Sequence, residues 1–127
     1  MTILLVAAGG ALGAAARYGT YSLASRFLGI AFPFGTLMVN VLGSFAMGLV
    51  MAWVMNKAAF SEEMRLFLAT GFLGAYTTFS TFSLDVWQLY GKEAYGSLFL
   101  YLSGSFFCSI AGLVLGLILM QRYLDNI

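Results

Sequence analysis

The 127-residue chain predicts an all-α integral membrane protein with four transmembrane helices, the third broken near mid-membrane. Three observations carry that expectation. With 61% hydrophobic and 9% charged residues and a mean hydropathy of +0.93, the chain has too little polar surface to cover a soluble globule of its length. Four apolar runs, at residues 3–28, 34–55, 64–90 and 97–119, each reach the roughly 20 helical residues that a bilayer requires. The third run holds a dense hydroxyl cluster, Thr77-Thr78-Phe79-Ser80-Thr81-Phe82-Ser83. An unsatisfied polar group in hydrocarbon costs several kcal/mol, so this cluster must face another helix, a water-filled cavity or a passing ligand.

The first run lacks a basic segment before it and a persuasive cleavage site, so it reads as a retained helix rather than a signal peptide. Gly29 through Phe34 connects it to the second, with Pro33 placed where its missing N–H is harmless. Asn56 through Glu63 forms the next connection. There Ser61 suits an N-cap, and Glu62 and Glu63 suit the positive end of the following helix. Gly91 through Gly96 is the third connection. With no linker, low-complexity tract or repeat, residues 1–127 read as a single four-helix domain with both termini on one side.

Charge is nearly balanced across the two faces. Alternating helices put Lys57, Arg65 and Arg122 on the N-terminal side, and Arg26, Lys92 and, near that face, Arg17 on the other. Orientation follows an excess of Lys and Arg on the cytoplasmic side. A chain without that excess fits insertion in both orientations, which permits an antiparallel homodimer; it equally fits one weakly biased topology. At a formal net charge of +1 no nucleic-acid partner is expected.

Small residues spaced four apart recur at Gly9 and Gly13, Ser44 and Gly48, and Gly112 and Gly116, a spacing that lets helix backbones approach closely. Cys108 stands alone within the fourth run, so it makes neither an internal disulfide nor a metal site and reads as packing. The absence of histidine, of a cysteine pair and of paired carboxylates in one span removes the usual parts of acid–base or metal catalysis, and no enzyme is expected.

Several polar residues exceed what membrane helices need. Asn40 offers two uncharged N–H donors, suited to an anion that must bind and leave; read alone, it equally fits an amide bridging two helices. Gly74-Ala75-Tyr76-Thr77-Thr78 joins a flexible residue to poor helix formers, which favours an interruption that exposes carbonyls. Such carbonyls suit a small hard cation such as Na+. The Ser and Thr hydroxyls also fit bonding back to carbonyls one turn earlier. Phe79 and Phe82 share a face and present ring edges able to meet an anion, or simply fill a core. Tyr101, Ser105 and Ser109 repeat every four residues as a hydroxyl stripe on the fourth helix. Arg17 and Asp85 are the charged residues nearest the membrane interior. Arg17 suits a vestibule or an interface, and Asp85 suits a cation partner or control of access.

Three segments together carry a family resemblance: Gly13-Ala14-Ala15-Ala16-Arg17-Tyr18; Gly35-Thr36-Leu37-Met38-Val39-Asn40-Val41-Leu42-Gly43; and Gly71 through Ser83. They closely resemble the Fluc (CrcB) fluoride channels, and the resemblance runs the whole chain. It implies a dual-topology antiparallel homodimer in the bacterial inner membrane, with two fluoride pathways assembled from both subunits. Asn40, Phe79 and Phe82 match the family's pathway residues, and Tyr101, Ser105 and Ser109 its fourth-helix polar track. Thr36, Ser80 and Ser83 fall where further hydroxyl contacts belong. Gly74 and Thr77 match positions whose backbone carbonyls hold a central structural Na+, and Arg17 matches the vestibule arginine. Two departures stand out: Asp85 where glutamate is usual, and Ala75-Tyr76 where Gly-Leu is usual.

The expected function is passive, fluoride-selective export that relieves fluoride toxicity. A tightly hydrated ion needs many modest donors in place of water, with binding weak enough for exit. The rival reading is a proton-coupled four-helix multidrug transporter, which needs an intramembrane carboxylate. Asp85 is the one available, and the first helix has none. A purely structural membrane subunit would leave the polar stripes unexplained.

Overall fold

A computed structural model describes residues 1–56 and 60–127, so Lys57 of the charge tally lies outside the described residues. Among those residues the chain is helical, with no strand. α1 (Thr2–Leu28) and α2 (Phe34–Asn56) come first. The third apolar run is divided into α3 (Glu62–Arg65), a π-helical stretch (Leu66–Leu73), α4 (Gly74–Tyr76) and α5 (Ser80–Gly91). α6 (Tyr95–Asp125) closes the chain, starting two residues before the expected Ser97 and running well past Leu119. Among the described residues three helices, α1, α2 and α6, are continuous, long and apolar enough to cross a membrane. Division of the third run removes it from that class, because none of its pieces reaches the needed length.

The connections follow local chemistry. Gly29, at φ 79°, ends α1 while its N–H donates to the Ser25 carbonyl at 3.1 Å. Pro33 precedes α2, and its carbonyl accepts from Leu37 N–H at 3.2 Å. The Ser61 hydroxyl accepts from Met64 N–H at 3.1 Å, the expected N-cap. Beside it the Arg65 guanidinium pairs with Glu62 and holds that exposed carboxyl below the usual glutamate value, chiefly by hydrogen bonding. After α5 the chain reverses through a Schellman motif: Ala94 N–H reaches Leu89 O at 3.0 Å and Glu93 N–H reaches Tyr90 O at 3.0 Å. Glu93 takes the left-handed position, φ 56°, that glycine usually fills.

Glycine decides how the helices pair. A Cβ on Gly9 would strike the Phe67 carbonyl, one on Gly13 the Phe72 carbonyl, and one on Gly71 would lie 2.8 Å from the Val6 carbonyl. α1 therefore lies backbone against backbone on the π-helical stretch. A π-helix this long is rare, since its geometry is inferior to that of an α-helix. A second seam joins α2 to α6, where Gly48 faces the Leu113 carbonyl and Gly116 the Phe45 carbonyl. Along each seam residue numbers rise together: Gly9 meets Gly71 while Thr20 meets Tyr76, and Val41 meets Gly112 while Phe45 meets Gly116. α1 thus runs parallel to the third run, and α2 parallel to α6.

Both seams lie within one chain. Of the Ser44–Gly48 pair, Gly48 joins the seam, whereas Ser44 borders a cavity.

Candidate functional site: a pinned helix break beside two cavities

The third run loses its helix at Thr77, whose ψ of 159° is extended, and regains it at Ser80. Gly74 and Ala75, expected within the interruption, are still helical; the non-helical residues are Thr77, Thr78 and Phe79. The cause is a side chain 38 residues away. Asn40 on α2 donates through Nδ2 to the Thr78 carbonyl at 2.9 Å and accepts from Thr78 N–H through Oδ1 at 2.8 Å. One amide thereby replaces two backbone partners, so the break leaves neither the Thr78 N–H nor its carbonyl unpaired.

The consequence falls on two carbonyls. In a continuous helix Thr78 N–H would bond Gly74 O, and Thr81 N–H would bond Thr77 O. Here Thr78 N–H goes to Asn40, and Thr81 N–H goes to the Thr78 hydroxyl at 3.2 Å. The Gly74 and Thr77 carbonyls are released from helical bonding.

The five hydroxyls now separate by role. Thr77 bonds back to Leu73 O at 3.0 Å and Ser83 to Phe79 O at 3.0 Å, so these two support the helix ends. The buried Thr78 hydroxyl caps α5 and lies 3.3 Å from Ser80 Oγ and 3.2 Å from Thr81 Oγ1. Ser80 and Ser83 are exposed, and neither borders the main cavity.

That cavity, about 340 Å³, collects residues from three elements. Asn40 and Ser44 come from α2, Phe79 and Phe82 from the break and α5, and Ser105 and Ser109 from α6. Ser105 is only 6% exposed, and its hydroxyl has no hydrogen-bond partner among the described residues. An orphaned hydroxyl beside a cavity calls for water or a ligand. Phe79 is 79% exposed, which removes it from the core of this chain. Its ring lies 5.6 Å from Phe82, and Phe82 lies 5.2 Å from Tyr101, a tilted series of three rings.

Tyr101 is fully buried, and its hydroxyl donates to Asp85 Oδ2 at 2.8 Å. Asp85 therefore takes a phenol as its partner, and among the described residues it pairs with no cation. Beyond Tyr101 a second cavity of about 260 Å³ is bordered by Thr36, Thr81, Asp85 and Tyr21. Thr36, expected with the pathway residues, belongs to this second space. Arg17 is half-buried, borders neither cavity, and forms no ion pair among the described residues.

Sequence reasoning brought Asn40, Phe79, Phe82, Ser105 and Ser109 to one place. It missed Ser44 as a cavity residue, although Thr36, Asn40 and Ser44 repeat every four residues just as Tyr101, Ser105 and Ser109 do. It missed Tyr21 altogether.

Comparison with known proteins agrees over nearly the full length. A family described as CrcB-like protein, Camphor Resistance (CrcB), matches residues 4–117. A protein of Rhodopseudomonas palustris (strain BisB5) named Fluoride-specific ion channel FluC is 49% identical over 121 residues, covering 95% of this chain and 98% of the relative. One of the same name from Chelativorans sp. (strain BNC1) is 48% identical over 122 residues, covering 96% and 98%. Another from Agrobacterium fabrum (strain C58 / ATCC 33970) is 47% identical over 121 residues, covering 94% and 95%. On the match to most of its length and these identities, the chain belongs to the CrcB family.

Proposed function

We propose that this protein is a fluoride-selective passive ion channel rather than an enzyme, and that it lets fluoride leave a bacterial cytoplasm across the plasma membrane. One observation carries the reading: the 340 Å³ cavity is edged by an amide, hydroxyls and phenyl rings, with no charged residue on its wall among the described residues. Such a wall offers fluoride many modest contacts and no fixed cation to trap it. Asn40 keeps one N–H beyond the bond it gives to Thr78. The orphaned Ser105 hydroxyl adds another donor, and the Phe79 and Phe82 edges carry positive potential. The names of the FluC relatives support fluoride as the ion.

The working unit is an antiparallel homodimer of four-span chains. The parallel runs of α1 with the third run and of α2 with α6 fit four alternating crossings. The glycine seams are used up inside the chain, while the cavity residues Phe79 and Phe106 stay exposed, at 79% and 61%. A second copy would cover them and complete the wall. Ser80, Ser83, Tyr101 and Ser109 then extend the hydroxyl track, and Arg17 draws anions to a vestibule.

The donor chemistry also fits a structural Na+. Gly74 and Thr77 would hold it through the carbonyls released at the break, since a small hard cation takes oxygen ligands. One chain supplies two such oxygens, so two copies would be needed for a fuller shell. The ion would supply fixed positive charge, tying the two breaks together. The multidrug-transporter alternative gains nothing from the geometry, because its one candidate carboxylate, Asp85, is engaged by Tyr101.

The test is efflux from liposomes containing the purified protein, read with fluoride and chloride electrodes. Rapid fluoride loss with chloride retained is the expected result, and Phe79→Ile is expected to slow it with the dimer intact. Fluoride-tight vesicles holding folded dimer would refute the channel.

A further inference from the structure

We infer that the Tyr21 hydroxyl is an additional anion contact in the second cavity, extending the path past the Tyr101–Asp85 pair. This rests on the channel reading above. Tyr21 borders the 260 Å³ space, and its hydroxyl is shielded from solvent with no hydrogen-bond partner among the described residues. The two orphaned hydroxyls of this kind, on Ser105 and Tyr21, border the two cavities, one each. A hydroxyl shielded from solvent does not stay unpartnered without cost, so its partner is whatever enters the space beside it.

The two cavities succeed one another along shared helices. On α2, Thr36 borders the second cavity and Asn40, one turn on, borders the first. On α5, Thr81 and Asp85 border the second while Phe82 borders the first. Tyr101 stands between them, its ring 5.2 Å from Phe82 and its hydroxyl 2.8 Å from Asp85. An ion leaving the first cavity along this side meets the Asp85 carboxylate next. A negative wall repels an anion, so passage there calls for donors opposite it. Tyr21 supplies one from α1, Thr81 another from α5, and Lys92 stands at the exposed rim with its positive charge. Gly35 makes the placement possible, because a Cβ there would come within 2.6 Å of the Tyr21 ring.

The probe is fluoride itself, in electrode-monitored efflux from liposomes carrying wild type or Tyr21→Phe. Phenylalanine keeps the ring that lies over Gly35 and removes only the oxygen. Efflux about three- to tenfold slower than wild type, from protein eluting as wild type does, is the expected result, in line with loss of one donor. Efflux equal to wild type overturns the Tyr21 contact and leaves the channel standing. Wild-type vesicles that hold their fluoride overturn the channel reading, and the contact with it. As a second variant, Tyr21→Trp retains an N–H donor on a larger ring; if it folds and conducts no better than a folded Tyr21→Leu, the donor is not what matters and the inference fails.

Discussion

The glycine seams and the helix break solve opposite problems with opposite means. Along Gly9, Gly13 and Gly71, and again along Gly48 and Gly116, side chains are absent and backbones touch. At Thr77 through Phe79 the backbone ladder is absent and side chains stand in for it, with the Asn40 amide and the Thr78 hydroxyl supplying the missing partners. A seam tolerates no added atom, whereas the break holds spare donors and released carbonyls. Rigidity in the first keeps the second in register, because the stretch that ends at the break is the one pressed against α1.

The contrast can be broken most severely at a seam. Gly13→Leu forces a side chain into the Phe72 carbonyl, where a neighbouring backbone cannot yield as a flexible side chain would. Overpacking of this kind costs about 1–3 kcal/mol or more. Loss of the monodisperse species in size-exclusion chromatography, with fluoride transport lost alongside it, is the expected outcome. A folded, conducting Gly13→Leu would mean that the seam is looser than drawn.

Ser105→Ala sharpens the contrast from the other side. Its hydroxyl has no partner to lose among the described residues, so the thermal midpoint should hold or rise slightly while fluoride efflux falls about three- to tenfold. A drop in stability with unchanged efflux would assign Ser105 to the scaffold instead. Smallest of all is Ser61→Ala, at the start of the third run. Removing that N-cap is expected to cost about 1 kcal/mol in unfolding measurements and to leave the efflux rate alone.

How much of this could be read from the chain depends on how local each cause is. Ser61 and Pro33 act within one turn, and both were legible. The small-residue pairs announced close packing, yet their spacing does not say which helix they meet; the answer required seeing Gly9 against Gly71 and Gly48 against Gly116. Glycine flexibility and poor helix formers drew the expected interruption to Gly74 through Thr78, which takes in Thr77 and Thr78 but starts three residues early. The break actually falls at Thr77 to Phe79, because a side chain on another helix captures the Thr78 N–H. The π-helical stretch had no periodic signature; it lies where Gly71 lets the α1 backbone approach closely. Asn40 was open to two readings, bridge or anion donor. It bridges, and it also borders the cavity with a donor to spare. Tyr21 gave no signal, because a single tyrosine in an apolar helix looks like packing until the space beside it is seen.

Asn40 is where break and cavity meet, so it offers the most direct test of the claim that the pinned break forms the conducting site. Fluoride efflux should be measured from liposomes carrying Asn40→Ala that elutes in the wild-type position. Removing both the anchor to Thr78 and the cavity donor is expected to slow efflux at least about tenfold. Wild-type efflux from folded Asn40→Ala would contradict it.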